Sequence, residues 1–175
     1  MHTLNKLIIG TSFALMLPQL ALAAAPNQVF GWEEEAVLLP EQAAVKVELD
    51  TSAQTSYLAA ANIEPFDKGG EKWVRFTVQA PKGLAGALAD IPFERKILRT
   101  EKGKGLAGGH RQVVNVALCI GTQVYQEDLA LKGPGKKDYT VVLGRSTLQH
   151  LGAVDVTRTN TAKPECDASA TKQTG

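Results

Sequence analysis

Val45-Lys46-Val47-Glu48-Leu49-Asp50-Thr51-Ser52-Ala53 is an alternating run that ends in a carboxylate and a group of small residues. Val45, Val47 and Leu49 fall on one face and Lys46 and Glu48 on the other, the period of two of a half-buried strand. Asp50 therefore stands where the strand ends and the backbone turns. A carboxylate on a rigid strand end is placed more accurately than one on a loop, which suits it to chemistry. The same run also reads as a plain strand closed by a turn, because Asp and Ser bond their side chains to nearby amides.

Outward from this stretch the chain is a series of short β runs. Ala36–Leu39 predicts a strand stopped by Pro40, and the preceding Glu33-Glu34-Glu35 reads as a solvated face. After the Gly69-Gly70 turn, Trp73–Gln79 alternates cleanly, with Trp73 as a packing residue. Phe93–Thr100 predicts one arm of a hairpin whose tip, Gly103 to Gly109, is rich in glycine. Such a tip reaches φ > 0 conformations and approaches a ligand closely, although an ordinary surface loop has the same composition. His110–Ile120 predicts the strongest strand, with Val114, Val116, Leu118 and Ile120 on one face, and Gly121-Thr122 turns it into Gln123–Leu131. Val141-Val142-Leu143 has the wholly apolar character of a strand buried on both faces. Ser146 predicts the cap of a short helix that ends at Gly152. With 16 glycines and 8 prolines punctuating these runs, the chain reads as an all-β domain.

Residues 1–23 read as a secretory signal: Lys6, an apolar run from Leu7 to Leu20 broken by Pro18, then Ala21-Leu22-Ala23, with cleavage expected after Ala23. The run is short for a membrane span and no basic cluster follows it, so no stable membrane insertion is expected. Loss of Lys6 leaves 18 basic and 18 acidic residues, a balance that argues against nucleic acid as a partner. Residues 24–30 form a short linker, 31–158 a single domain, and the polar stretch 159–175, which lacks aromatics, reads as a disordered tail. Cys119 lies in a predicted strand and Cys166 in that tail. They could form a disulfide tying the tail down, or remain a buried strand thiol and a free tail thiol; sequence alone leaves both open. There is no His-Glu-x-x-His helix and no phosphate-cradling glycine loop ending in Lys-Ser/Thr, so neither metal nor cofactor is expected.

A second stretch sharpens the reading of the first. Gly31-Trp32, Leu39-Pro40, Asp50-Thr51-Ser52-Ala53-Gln54-Thr55-Ser56, Ile63-Glu64-Pro65-Phe66, Trp73–Val78 and Leu143-Gly144-Arg145 occur in the order seen in bacterial retropepsin-like aspartic peptidases. From about residue 31 to 156 the chain resembles that family, members of which often carry the label "ATP-dependent zinc protease". The resemblance implies a closed β-barrel with a flap hairpin and one short C-terminal helix. It makes Thr55–Leu58 the strand after the turn, Asp50 the catalytic acid, and Gly103, Gly105, Leu106, Gly108 and Gly109 the substrate-covering flap. Thr51 would hydrogen-bond across a two-fold axis, Ala53 would pack small beneath the turn, and Gly144 would let the Leu143 strand approach it. Arg145 would pair with an acid near the dimer interface.

Two departures stand out. Ser52 occupies a position that is glycine in the family, where a glycine-only φ would strain a serine by about 1–2 kcal/mol and its Cβ would intrude on the water and peptide. Gln54 replaces an arginine, which alters an expected interface contact. The chain has one Asp-Thr-small-Ala turn; Asp90, Asp138 and Asp155 lack it. The resemblance therefore implies a homodimer that joins two Asp50 carboxylates and cuts a protein or peptide substrate. Two other readings compete: a retropepsin-like module that binds peptide or a partner without cleaving it, and a small exported barrel that holds an apolar ligand.

Overall fold

The computed structural model describes residues 28–82, 87–102, 109–134, 139–166 and 172–174. The expected signal and its cleavage site lie outside these residues, as do Gly103, Gly105, Leu106 and Gly108 of the expected flap. Among the described residues eleven strands and one helix follow one another: β1 (Val29–Leu39), β2 (Ala43–Leu49), β3 (Tyr57–Ala59), β4 (Ala61–Lys68), β5 (Glu71–Lys82), β6 (Ala87–Lys102), β7 (His110–Ile120), β8 (Gln123–Lys132), β9 (Val141–Leu143), α1 (Arg145–Leu151), β10 (Ala153–Thr159) and β11 (Lys172–Thr174).

The hydrogen-bonded order runs β10-β1-β2-β9-β3-β8-β7-β6-β5-β4, and β1 also pairs with β7. That extra pairing, Val37 with Cys119 through Leu39 with Ala117, joins β1, β2, β9, β3, β8 and β7 into a closed ring. The all-β, retropepsin-like barrel expected from the sequence is the fold. Closure leaves the ring itself without an open edge, the part of a sheet most prone to unwanted pairing. Side chains fill its interior: Leu38, Val45, Val47, Leu58, Leu118, Leu129 and Leu143 all belong to one buried cluster. An apolar ligand inside the barrel would have to displace this packing.

The strand carrying the acid behaves as its alternation predicted. Val45, Val47 and Leu49 are buried while Lys46 is exposed. β7 also keeps its predicted bounds. The strand after the turn, expected at 55–58, is instead Tyr57–Ala59. β4, β5 and the first half of β6 form a meander whose Val74, Phe76, Val78 and Phe93 join the common core. Phe76 and Phe93 stack at 5.3 Å between ring centroids.

Three expectations are corrected. The acidic triplet is not uniformly solvated: Glu34 is fully buried. Its Oε1 accepts the Gly31 N–H at 2.6 Å and the Thr161 hydroxyl, and its Oε2 accepts the Ala162 N–H at 3.0 Å. Donors on both oxygens offset the cost of removing a carboxylate from water. The tail is not disordered over its first part, because bonds to β1 and to the end of β7 hold residues 160–166. Asn160 N–H donates to Glu33 O and Glu165 N–H to Gly121 O, each at 2.7 Å, and Cys119 is joined to Cys166 by a disulfide. Finally, Ser146 does not cap α1. Gly144 takes the N-cap position without a side-chain cap, its carbonyl accepting the Thr147 and Leu148 N–H groups, while Gly152 ends the helix as expected.

Candidate active site

β2 ends at Leu49 and runs parallel to β9, with Leu49 opposite Leu143. The chain leaves both strands at the same level, so the turn after β2 and the segment after β9 meet. Three backbone hydrogen bonds lace them: Asp50 N–H to Leu143 O at 2.9 Å, Arg145 N–H to Ala53 O at 2.9 Å, and Ser146 N–H to Gln54 O at 3.1 Å. Every expected support residue near Asp50 is drawn into this crossing.

Gly144 shows why the crossing admits no side chain. A Cβ built there would lie 2.7 Å from Thr55 O, 2.8 Å from Thr55 C and 3.0 Å from Ala53 O. All are main-chain atoms of the turn, which cannot swing aside as a side-chain end would. Gly144→Ala is therefore expected to cost about 1–3 kcal/mol, the range for overpacking, measured as a lowered urea midpoint. Unchanged stability would mean that the two segments are more loosely joined than these distances require.

The carboxylate of Asp50 is anchored within its own turn. Oδ1 accepts the Ser52 N–H at 2.8 Å, the Ser52 hydroxyl at 2.6 Å and the Ala53 N–H at 3.2 Å. Bonds to an ionised acceptor are the stronger kind, so the side chain is held in one orientation. Serine at 52 brings no backbone strain: the described non-glycine residues with positive φ are Gln42, Asn62 and Asn160. The departure that raised concern in the sequence instead adds a donor to the acid.

Arg145 does something other than its expected pairing with an acid. Its guanidinium donates to Thr51 O at 3.0 Å, Ser52 O at 2.9 Å and Gln54 Oε1 at 2.8 Å. It thus clamps the outer side of the turn from within the same chain, and Gln54 is one of the groups it holds. Thr51 is exposed at the apex of the turn, and Ala53 is half-buried beneath it.

Asp155, one of the acids that lack the turn motif, lies on β10. Its Oδ1 accepts the Thr157 hydroxyl at 2.6 Å and N–H at 2.9 Å, and these bonds, the hydroxyl's foremost, hold its carboxyl below the usual range. It is engaged locally rather than beside the turn. The expected flap is a hairpin as far as it is described: β6 and β7 pair from Ile97–Val114 up to Lys102–His110. Gly109 is exposed at the base of the tip.

Sequence reasoning missed a set of polar residues behind the crossing. Ser56, Thr147 and Glu127 are buried, and His150 bonds Glu127 from the end of α1. The available signal was an acid at 127 in the same period-two set as Tyr125 and Leu129, a place where an apolar residue is expected.

The chain is similar in sequence or in fold to several known proteins. The structure resembles a crystal structure of Lpg0085, a protein of unknown function from Legionella pneumophila, with a TM-score of 0.65 and 29% identity over 78% of this chain and 99% of that one. Among curated proteins, a probable alpha-L-glutamate ligase of Shewanella pealeana is 26% identical over 115 residues, and one of Shewanella halifaxensis 27% over 114. Each match takes in 64% of this chain, which spans about a quarter of those relatives, 24% of their length. The family model for the retropepsin-like aspartic endopeptidase RimB matches residues 29–165, which include the Asp50 turn, the Leu143-Gly144-Arg145 segment and the strap that Glu34 holds. The chain thus belongs to the RimB-like family of retropepsin-like aspartic endopeptidases.

Proposed function

We propose that the protein is an exported aspartic endopeptidase that cleaves a periplasmic or envelope protein through a homodimer, each copy supplying one Asp50. The observation that carries this reading is the anchored Asp50 carboxylate at a turn laced to Gly144, with Thr51 exposed at the apex. Two carboxylates brought together cannot both ionise, so they share a proton. One then takes a proton from the attacking water while the other donates a hydrogen bond to the scissile carbonyl.

The surface beside the turn supports pairing with a second copy. β10 ends the sheet order next to β1, and Val156 on it is 71% exposed. Thr51, Gln54, Arg145, Leu148, Gln149 and Val154 line a continuous depression from the turn to this edge. An isologous contact there would join identical edges across a two-fold axis. The disulfide supports an oxidising compartment and hence export.

The test is incubation with peptides, glutamate-rich ones among them because of the ligase relatives, with and without a hydroxyl-bearing transition-state mimic. Cleavage greatest at mildly acidic pH and blocked by the mimic is expected; binding without cleavage at any pH would overturn the reading. Ser52 gives the non-cleaving module its one specific support, since its hydroxyl occupies Asp50. Ser52→Gly removes one charge-assisted bond and is expected to change kcat by about a hundredfold or less. A gain of several hundredfold would favour a decayed site in the natural protein.

A further inference from the structure

The peptide unit between Leu143 and Gly144 has two ends, and both are used. Its carbonyl accepts the Asp50 N–H at 2.9 Å, and its N–H donates to Ser56 Oγ at 2.9 Å. Ser56 Oγ lies 2.8 Å from Thr147 Oγ1, and Thr147 donates to Glu127 Oε2 at 2.7 Å. Glu127 Oε1 meets His150 Nε2 at 2.7 Å. Glu127 is 4% exposed and opens with His150 onto an outer cleft of about 380 Å³. The cation in that cleft, Arg99, is engaged by Asp128 at 2.7 Å and Glu101 at 2.9 Å.

Proton counting fixes the direction of this chain. A carboxylate only accepts and a hydroxyl has one proton to give. With Glu127 as the terminal acceptor, Thr147 must spend its proton there, so the Ser56 hydroxyl donates to Thr147. Ser56 is then left with lone pairs aimed at the Gly144 N–H. Each link polarises the next in a low-dielectric setting. We propose that Glu127 is a positioning residue: its buried charge orients Thr147 and Ser56, which fix the Leu143–Gly144 peptide and through it the backbone of Asp50. The effect on turnover rests on the endopeptidase reading above, whereas the effect on the peptide does not.

Glu127→Leu and Thr147→Val cut the chain at two places, so that one variant serves if the other folds poorly. Amide hydrogen exchange at Gly144, followed by NMR with Val74 of the β4–β6 meander as the internal control, is expected to quicken about tenfold in either variant, the worth of one lost hydrogen bond. On a cleaved peptide, kcat is expected to fall about tenfold with KM nearly unchanged, the pattern of lost transition-state stabilisation rather than lost binding. Unchanged Gly144 exchange in a folded variant overturns the proposal. So does quickened exchange with full kcat, which would make the chain structural only. If the natural protein cleaves nothing, the endopeptidase reading fails, and the exchange measurement alone decides whether Glu127 positions the peptide.

Discussion

Asp50→Asn is expected to lower cleavage of a susceptible peptide by about 10⁴-fold, the upper range for loss of a general base, with the proposed dimer and the melting temperature preserved. The turn gives the reason for both halves of this expectation. An asparagine side-chain oxygen can take the place of Oδ1 and still accept from the Ser52 N–H, the Ser52 hydroxyl and the Ala53 N–H. The backbone bond from Asp50 N–H to Leu143 O is indifferent to the substitution. What the proposed site would lose is the proton shared between two carboxylates, which an amide cannot hold. Steady-state kinetics with a fluorogenic peptide and sedimentation of the same sample check the two halves separately.

Mixing makes the test more searching. If natural and Asp50→Asn chains exchange freely at equal concentrations, only about one dimer in four carries two acids when the site is shared across a two-fold axis. Activity per total protein should then fall to about a quarter of that of the natural protein. A self-sufficient chain would retain about half, by the same counting. The half-value removes the shared two-fold site, and undiminished turnover in Asp50→Asn itself removes Asp50 as the acid.

The parts of this site that the sequence disclosed share one property: their signal is local. Val45-Lys46-Val47-Glu48-Leu49 announces a half-buried strand by parity alone, and Gly144 is flagged by a motif three residues long. The parts that stayed hidden depend on partners far along the chain. Glu34 reads as one of three solvated acids until Thr161 and Ala162, 127 and 128 positions away, are seen to donate to it. Arg145 suggested an acid as partner because charge is what a sequence displays; backbone carbonyls at 51 and 52 have no letter of their own. Ser52 looked like a strained substitute because φ is invisible in sequence, and the turn accommodates it without entering the left-handed region. Ser56, Thr147 and Glu127 are separately unremarkable polar residues, and only the pairing of β3 with β8 and β9 brings them into one chain of bonds.

Reducing the Cys119–Cys166 bridge is expected to destabilise the fold by about 3–4 kcal/mol, which would rank it among the costliest changes outside the turn. The bridge spans 47 positions, and closing a loop of that size removes unfolded-state entropy worth about 4 kcal/mol in the chain-entropy model. The native strap has other ties, through Asn160, Thr161, Ala162 and Glu165, so its folded position should survive reduction and the loss should come chiefly from the freed unfolded chain. Cys166→Ala and the double Cys119→Ala/Cys166→Ala variant should therefore be destabilised almost equally, because the second change removes no further cross-link. For a domain of this size the melting temperature should drop by roughly 6–16 °C. Urea unfolding of the natural protein with and without reductant supplies the comparison. Below the lowered melting point, kcat should be nearly unaltered, since the strap grips β1 and the Gly121 turn while Asp50 is held by β9 and Gly144. A large fall in kcat without unfolding would instead tie the strap to the Asp50 turn, and identical urea curves with and without reductant would show that the bridge does not constrain the chain.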